Sequence, residues 1–329
     1  MHPVDLREDH GRVTLRALLA KGELDLARPG RGSTWARFRA LRSWGRADLS
    51  LGRLAEAHTD AVAILDEAGC PTTRGVVYGV WASERPGTAV TLHEADGRPE
   101  LCGTKDFCSG IDLCDRALVT AHRPDDPDRP VLVEVDLRAA QRTGTIETST
   151  ARWRSPALAA THTGSVTFDR AAVAQVVGEP GWYLDRPGFW HGAIGPAAVW
   201  AGGALGLIDH ALEHARHDPH VDAHLGALRA IGWEVRVLLD AAGDQIDAEP
   251  DDESGEARSR ALTVRHLIER SATEVLDRFG RAMGPGPLAF DPAVAERHAG
   301  LALYIRQSHA ERDLEDLEHS AADEQVRTP

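Results

Sequence analysis

Residues 101–121 read LCGTKDFCSGIDLCDRALVTA, and the pattern around this stretch decides the fold. Its end opens the run RALVTAHR (116–123), short and rich in strand-forming residues. Runs of the same kind surround it: VVYGVWAS (76–83), AVTLHEADG (89–97), VLVEVDL (131–137) and GSVTFD (164–169). ERPGT, EADGRPE and HRPDDPDRP separate them with Gly, Pro and Asp. Short strands punctuated this way predict a β-sandwich or barrel over residues 76–188. No helical period intervenes, which argues against a nucleotide-binding βαβ sheet. The chain's four cysteines, Cys70, Cys102, Cys108 and Cys114, lie in this region without a C-x-x-C pair. They read as small apolar side chains in a reduced interior.

On either side the period becomes helical. Residues 1–75 predict a short N-terminal helical domain. GRVTLRALLAKGEL spaces Val13, Leu15, Leu18 and Leu19 over adjacent turns, and Lys21 and Gly22 supply a stop. Ser33 is a candidate cap for STWARFRALRSWG, which sets Trp35, Phe38 and Leu41 on one face. Asp48 is a candidate cap for a longer helix ending at Gly69. From 189 to 320 come AAVWAGGALGLIDHALEHAR, DAHLGALRAIGWEVRVLLDAAGDQI, ARSRALTVRHLIERSATEVLDRFG and DPAVAERHAGLALYIRQSHAERDLEDL. Four long helices with short links predict an antiparallel four-helix bundle. Residues 321–329 read as a mobile tail, as does DAEPDDESGE (247–256). The fold class is therefore α+β.

With 42% hydrophobic residues the chain can bury a sizeable core, and its net charge of −14 argues against nucleic acid as a partner. No run of about 18 apolar residues predicts a membrane span. The N-terminus lacks the basic start and apolar stretch of a signal peptide, so a cytoplasmic protein is expected.

Helices, then a small β domain, then a bundle is the order of the acyl-CoA dehydrogenase superfamily, and local sequence resembles it in the same order. RADLSLGRLAEAHTDA resembles the aspartate-led helix near the end of that family's first domain. VWASE (80–84) resembles its strand motif ending in L-T-E. Residues 101–121 resemble its G-x-K-x-W-I-T-x-x-x-x-A-D segment, GSVTFD the strand leaving the β domain, and DRFGRAMGPGPLAFD (277–291) its Q-x-x-G-G-x-G turn. The likeness spans nearly the whole chain.

The resemblance implies FAD, an acyl-CoA or acyl-carrier substrate, and a homodimer or homotetramer in which a neighbouring subunit completes the FAD site. It places the backbone of Ala82 and the hydroxyl of Ser83 at the polar edge of the isoalloxazine ring. Phe107 falls where a tryptophan covers one face, and Ser109 where a threonine reaches toward N5. Gly280 and Gly284 fall where backbone approaches the adenosine diphosphate, Arg216 where an arginine meets the pyrophosphate, and Ser308 where a threonine contacts FAD.

The pattern breaks at the catalytic base. Where most members carry a glutamate this chain has Arg306, and where a minority carry it on an earlier helix it has Pro196. A guanidinium stays protonated and cannot act as a general base. His309 and Glu311 are the nearest alternatives. Arg297 and His309 also have the arginine–histidine spacing of flavin monooxygenases that share the fold. Three readings follow: an acyl-CoA dehydrogenase-like oxidoreductase first, a flavin monooxygenase second, a non-catalytic binding scaffold third.

One further motif lies in DHALEHARHDPHVDAH (209–224), where His210, Glu213 and His214 spell H-x-x-E-H. This is the inverted zinc-protease signature, and with His217 these side chains share one helical face. A third ligand would have to be Glu269 or Glu274. The resemblance puts this helix end at the bundle surface, so the expectation is a solvated face and no metal.

Overall fold

A computed structural model describes residues 15–327, Pro86 and His217 excepted. The chain divides into two compact units: residues to Arg28 with Leu54–Phe189, and Pro29–Arg53 with the remainder from Trp190. Before the strands, residues 15–20 are helical and are followed by α1 (Thr34–Ala47) and α2 (Leu49–Glu67), and the division falls within α2. Val13 lies outside the described residues.

The first unit is built on an eight-stranded sheet: β1 (Tyr78–Trp81), β2 (Val90–Ala95), β3 (Arg98–Cys108), β4 (Arg116–Arg123), β5 (Asp126–Asp136), β6 (Ile146–Ser149), β7 (Gly164–Ala172) and β8 (Gln175–Val177). The order is β6-β7-β3-β2-β4-β5-β8, with β1 parallel to β4. Most pairs are antiparallel, as expected of runs joined by tight turns. Ala61, Ile64 and Leu65 of α2 pack on Tyr78, Leu118, Leu132 and Val177 of the sheet. Asp48 caps α2 as predicted, its Oδ1 accepting Leu51 N–H at 2.7 Å, and Gly69 closes it at φ +66°. One short helix, α3 (Leu137–Thr143), interrupts the strands, contrary to the sequence reading. Asp136 caps it and Gly144, at φ 71°, ends it. After β8 come the short helices α4 (Trp182–Asp185) and α5 (Pro187–Gly192).

The second unit is helical: α1, α6 (Ile194–His214), α7 (Pro219–Ala248), α8 (Ala257–Met283), α9 (Pro285–Phe290), α10 (Pro292–Tyr304) and α11 (Glu311–Arg327). Asp218 and Asp291, each followed by proline, cap α7 and α10. Ser33 makes no cap; Asp247 of α7 accepts Thr34 N–H at 2.8 Å instead. α6 is buried along most of its length, and its small residues let α1 approach. A Cβ at Gly202 would stand 2.3 Å from the Arg42 carbonyl oxygen. The segment Pro187–His214 is long and apolar enough to cross a membrane, unlike the sequence expectation, yet 78% of its best window is buried inside the protein. The expected fourth bundle helix is broken. After Tyr304 a 3-10 turn (Ile305–Gln307) leads to Ser308 in extended backbone and Ala310 at φ 50°, before α11 starts. Asp313 of α11 accepts His309 N–H at 3.0 Å and holds this corner.

Candidate flavin site and helical pocket

Strand β3 carries a bulge where Lys105 pairs with Val166 but Cys108 pairs with Gly164. Two residues, Asp106 and Phe107, thus oppose one on β7. Phe107 sits at φ 59°, a left-handed conformation that strains a bulky residue. Its ring is 55% exposed although Asp106, Cys108 and Ser109 on either side are buried. What pins the bulge is Asp106. It accepts Ser165 Oγ–H at 2.5 Å, Arg85 Nη1–H at 3.1 Å and Arg152 Nη1–H at 3.4 Å. The Ser165 hydroxyl, with both guanidinium groups, holds its carboxyl below the usual carboxylate range.

The same corner receives the end of β1. Trp81 Nε1–H donates to Ser109 O at 2.9 Å. Lys105, buried, donates to Thr120 O at 3.0 Å and Thr120 Oγ1 at 2.6 Å, and Thr120 Oγ1–H reaches Ala82 O at 3.4 Å. Burial pushes the Lys105 ammonium below the usual lysine range. Glu84 lies 3.6 Å from that ammonium and 2.7 Å from His122 Nε2. Ser83 is exposed beside them. Through the Trp81–Ser109 bond the end of β1, followed by Ala82 and Ser83, meets the β3 bulge that carries Phe107 and Ser109; Phe107 and Ser83 are exposed there and Ser109 is buried. Ser109 Oγ bonds inward to Thr163 Oγ1 at 3.0 Å.

The helical unit holds a second group. A pocket of about 770 Å³ is lined by His210, His214, Arg216, Arg281, Gly284, Gly286 and Phe290 among others. It unites Arg216 with Gly284. Gly280, one turn earlier on α8, has open space where a Cβ would point. Gly284 adopts φ 67°, ψ −169°, a region open essentially to glycine alone. The aspartates at the rim, Asp218 and Asp291, spend oxygens on helix caps. Arg216 and Arg281 give the pocket cationic donors suited to a phosphate or diphosphate. His210 and His214 stack with ring centroids 4.4 Å apart. Burial, and then the neighbouring His214, push the His210 imidazole below its ordinary value. Of the proposed third ligands, Glu274 binds Arg278 at 2.7 Å and Glu269 binds Arg306. Among the described residues no group of three His, Cys, Asp or Glu is placed to hold a metal ion.

Arg306 pairs with Glu269 of α8, and Thr273 Oγ1–H donates to the same carboxylate at 2.9 Å. The guanidinium side chain is 55% exposed and the carboxylate only 11%. Neither Glu311 nor Asp313 is its partner. His309 Nδ1 lies 3.3 Å from Asp313 Oδ1, and Glu311 is exposed. Ser308 caps the turn, its Oγ accepting Ala310 N–H at 3.4 Å. Arg297 is spent on α1, donating to Arg46 O at 2.7 Å and Ala47 O at 2.9 Å. Asp106 and Arg281 lie inside quoted motif segments without being singled out there, Glu269 enters the sequence reading only as a metal ligand, and Asp313 is not singled out; each is identified by what it meets in space.

No protein-family model matches the chain, and no curated protein sequence matches it. Solved structures do. TdsC from Paenibacillus sp. A11-2, in complex with FMN and indole, superposes with TM-score 0.78 at 21% identity, over 95% of this chain and 94% of that one. Methanesulfinate monooxygenase MsuC from Pseudomonas fluorescens gives 0.76 at 16% identity, over 98% and 97%. The HsaA monooxygenase from M. tuberculosis gives 0.76 at 16%, over 97% and 94%. At these identities the likeness speaks for architecture: the chain has the acyl-CoA dehydrogenase-like fold that these three proteins share.

Proposed function

We propose that the protein is a flavin-dependent oxidoreductase of the monooxygenase type. The observation that carries the reading is Phe107, an aromatic face left exposed on a strained bulge two residues before Ser109 and close to the end of β1. A flat ring stacks on such a face, and the hydroxyls of Ser83 and Ser109 with the Ala82 backbone suit its heteroatoms. Bound flavin supplies two-electron transfer and, once reduced, reaction with oxygen. The monooxygenase form is favoured over acyl-CoA dehydrogenation because Arg306, in the place of the usual base, is a permanent cation paired with Glu269. Its role is to face an anionic group rather than to take a proton. Asp313 accepts Nδ1–H of His309, which leaves Nε2 of this exposed imidazole for proton exchange. Glu311 and Ser308 flank that histidine. FMN in the TdsC complex supports a flavin as such. FAD would in addition engage Arg216, Arg281 and the glycines at 280 and 284, offered to a neighbouring chain in a homodimer or homotetramer.

Reconstitution tests this directly. Purified protein is titrated with FMN and with FAD, then mixed anaerobically with a panel of saturated acyl-CoAs. The expected result is flavin binding without bleaching by any acyl-CoA, and substrate-dependent oxygen incorporation once the flavin is reduced chemically. Bleaching by an acyl-CoA would restore the dehydrogenase reading, and failure to bind either flavin would leave the scaffold. Arg281→Ala should weaken FAD and leave FMN unchanged if the helical pocket takes the diphosphate.

A further inference from the structure

Three buried hydroxyls run inward from Ser109. Thr161 Oγ1–H donates to Leu158 O at 2.7 Å, and a carbonyl only accepts, so that proton is committed. Thr161 Oγ1 lies 2.7 Å from Thr163 Oγ1 and, its own proton spent, can only accept from it. Ser109 Oγ lies 3.0 Å from Thr163 Oγ1, whose proton is now also spent, so Ser109 must donate inward in turn. Thr161 is 0%, Thr163 7% and Ser109 8% exposed, so bulk water does not compete for these protons. The backbone turns at left-handed Leu158 and His162 hold Thr161 in place. The direction of the whole chain is set at one end by the Leu158 carbonyl. At the other end Ser109 offers lone pairs and no proton.

We infer that the Leu158–Thr161–Thr163 relay makes Ser109 an obligate acceptor, so that the site prefers a reduced flavin, whose N5 carries a proton, over an oxidised one, whose N5 carries a lone pair. The inference rests on the flavin reading above, with Ser109 facing N5. Thr161 and Thr163 are positioning residues; neither touches the ring. Against reduced flavin Ser109 completes a hydrogen bond, whereas against oxidised flavin two lone pairs face each other. One such bond changes the affinity ratio by about tenfold.

The test measures dissociation constants for oxidised and for dithionite-reduced flavin under anaerobic conditions, together with the midpoint potential of the bound flavin. Thr161→Val lets the Thr163 proton turn toward Ser109 and the Ser109 proton turn outward. Leu158 O keeps the Thr161 N–H at 3.0 Å, so the backbone stays satisfied. The preference for reduced flavin should fall about tenfold, lowering the potential by about 30 mV for a two-electron couple. Thr163→Val should act in the same direction, and Thr161→Ser should restore the wild-type ratio. Ser109→Ala, which removes the acceptor and leaves the relay buried, should also lose the preference. An unchanged ratio in Ser109→Ala, or in a folded, flavin-binding Thr161→Val, overturns the inference while leaving the flavin reading intact. A protein that binds neither redox state removes the flavin reading, and this inference with it.

Discussion

Replacing Arg306 by glutamine tests whether the guanidinium holds a carboxylate or merely decorates the surface. The pair is asymmetric, with the arginine side chain 55% and the glutamate side chain 11% exposed. Breaking a fully buried pair by removing one partner costs about 3–5 kcal/mol, and an exposed pair is worth about 1 kcal/mol or less. Arg306→Gln leaves a nearly buried carboxylate with Thr273 as its remaining side-chain donor, so the expected cost lies between, at about 1–2 kcal/mol. Glu269→Gln leaves a guanidinium that water can already reach, and should cost less than about 1 kcal/mol. The double variant removes both charges and should recover much of the Arg306→Gln loss. Denaturant unfolding of the three variants measures these values, and anion affinity on the same samples shows whether the guanidinium also serves a ligand. Equal costs for the two single variants, or none for Arg306→Gln, would refute an arginine anchored on Glu269. Arg306 would then be a surface cation independent of Glu269.

Asp106→Asn should cost about 1–2 kcal/mol at neutral pH, because two of its three partners are cationic. Its depressed carboxyl contributes stability above the unfolded value of about 3.9 and loses it as pH falls through the lower folded value. Unfolding measured across pH should therefore show variant and wild type converging below about pH 4. Gly202→Ala should destabilise by about 1–3 kcal/mol, since its Cβ meets Arg42 O at 2.3 Å and Arg46 N at 2.8 Å. Gly226→Ala, with nothing within 4 Å, should stabilise α7 by about 0.5–1 kcal/mol, and thermal melts separate the two signs. Gly284→Ala should cost about 1–3 kcal/mol through backbone strain, and should weaken FAD more than FMN in equilibrium titrations if the pocket holds a diphosphate.

Local pattern carried the reading far where an element's own residues decide its state. RALVTAHR is β4 end to end, and Asp48 and Gly69 bracket α2 as caps should. The reading failed where short elements lean on distant partners. β6 and β8 are edge strands of four and three residues, too short for alternation to register. α3 is seven residues whose start depends on one aspartate cap. The fourth bundle helix looked continuous because nothing in LALYIRQSHAERDL breaks a helix by composition. It ends because Ser308 and Asp313 bind backbone N–H groups that a continuing helix would use itself.

The site divides along the same line. Phe107 and Ser109 were singled out from the segment around them, since a strand motif keeps its own spacing. What holds them in place was invisible, because it comes from afar. Asp106 reaches Arg85, Arg152 and Ser165 at separations of 21, 46 and 59 residues. The Ser109 hydroxyl takes its direction from Thr163, 54 residues on. Arg306 finds its carboxylate 37 residues back on another helix. Sequence spacing can propose that a hydroxyl or a charge stands at a given place. Whether that hydroxyl donates or accepts, and whether that charge is spent or available, depends on the partner at its other end. Within the β unit the partners that decide are Asp106, for the shape of the bulge, and Thr161 and Thr163, which run inward from Ser109; within the helical unit it is Glu269, which holds Arg306.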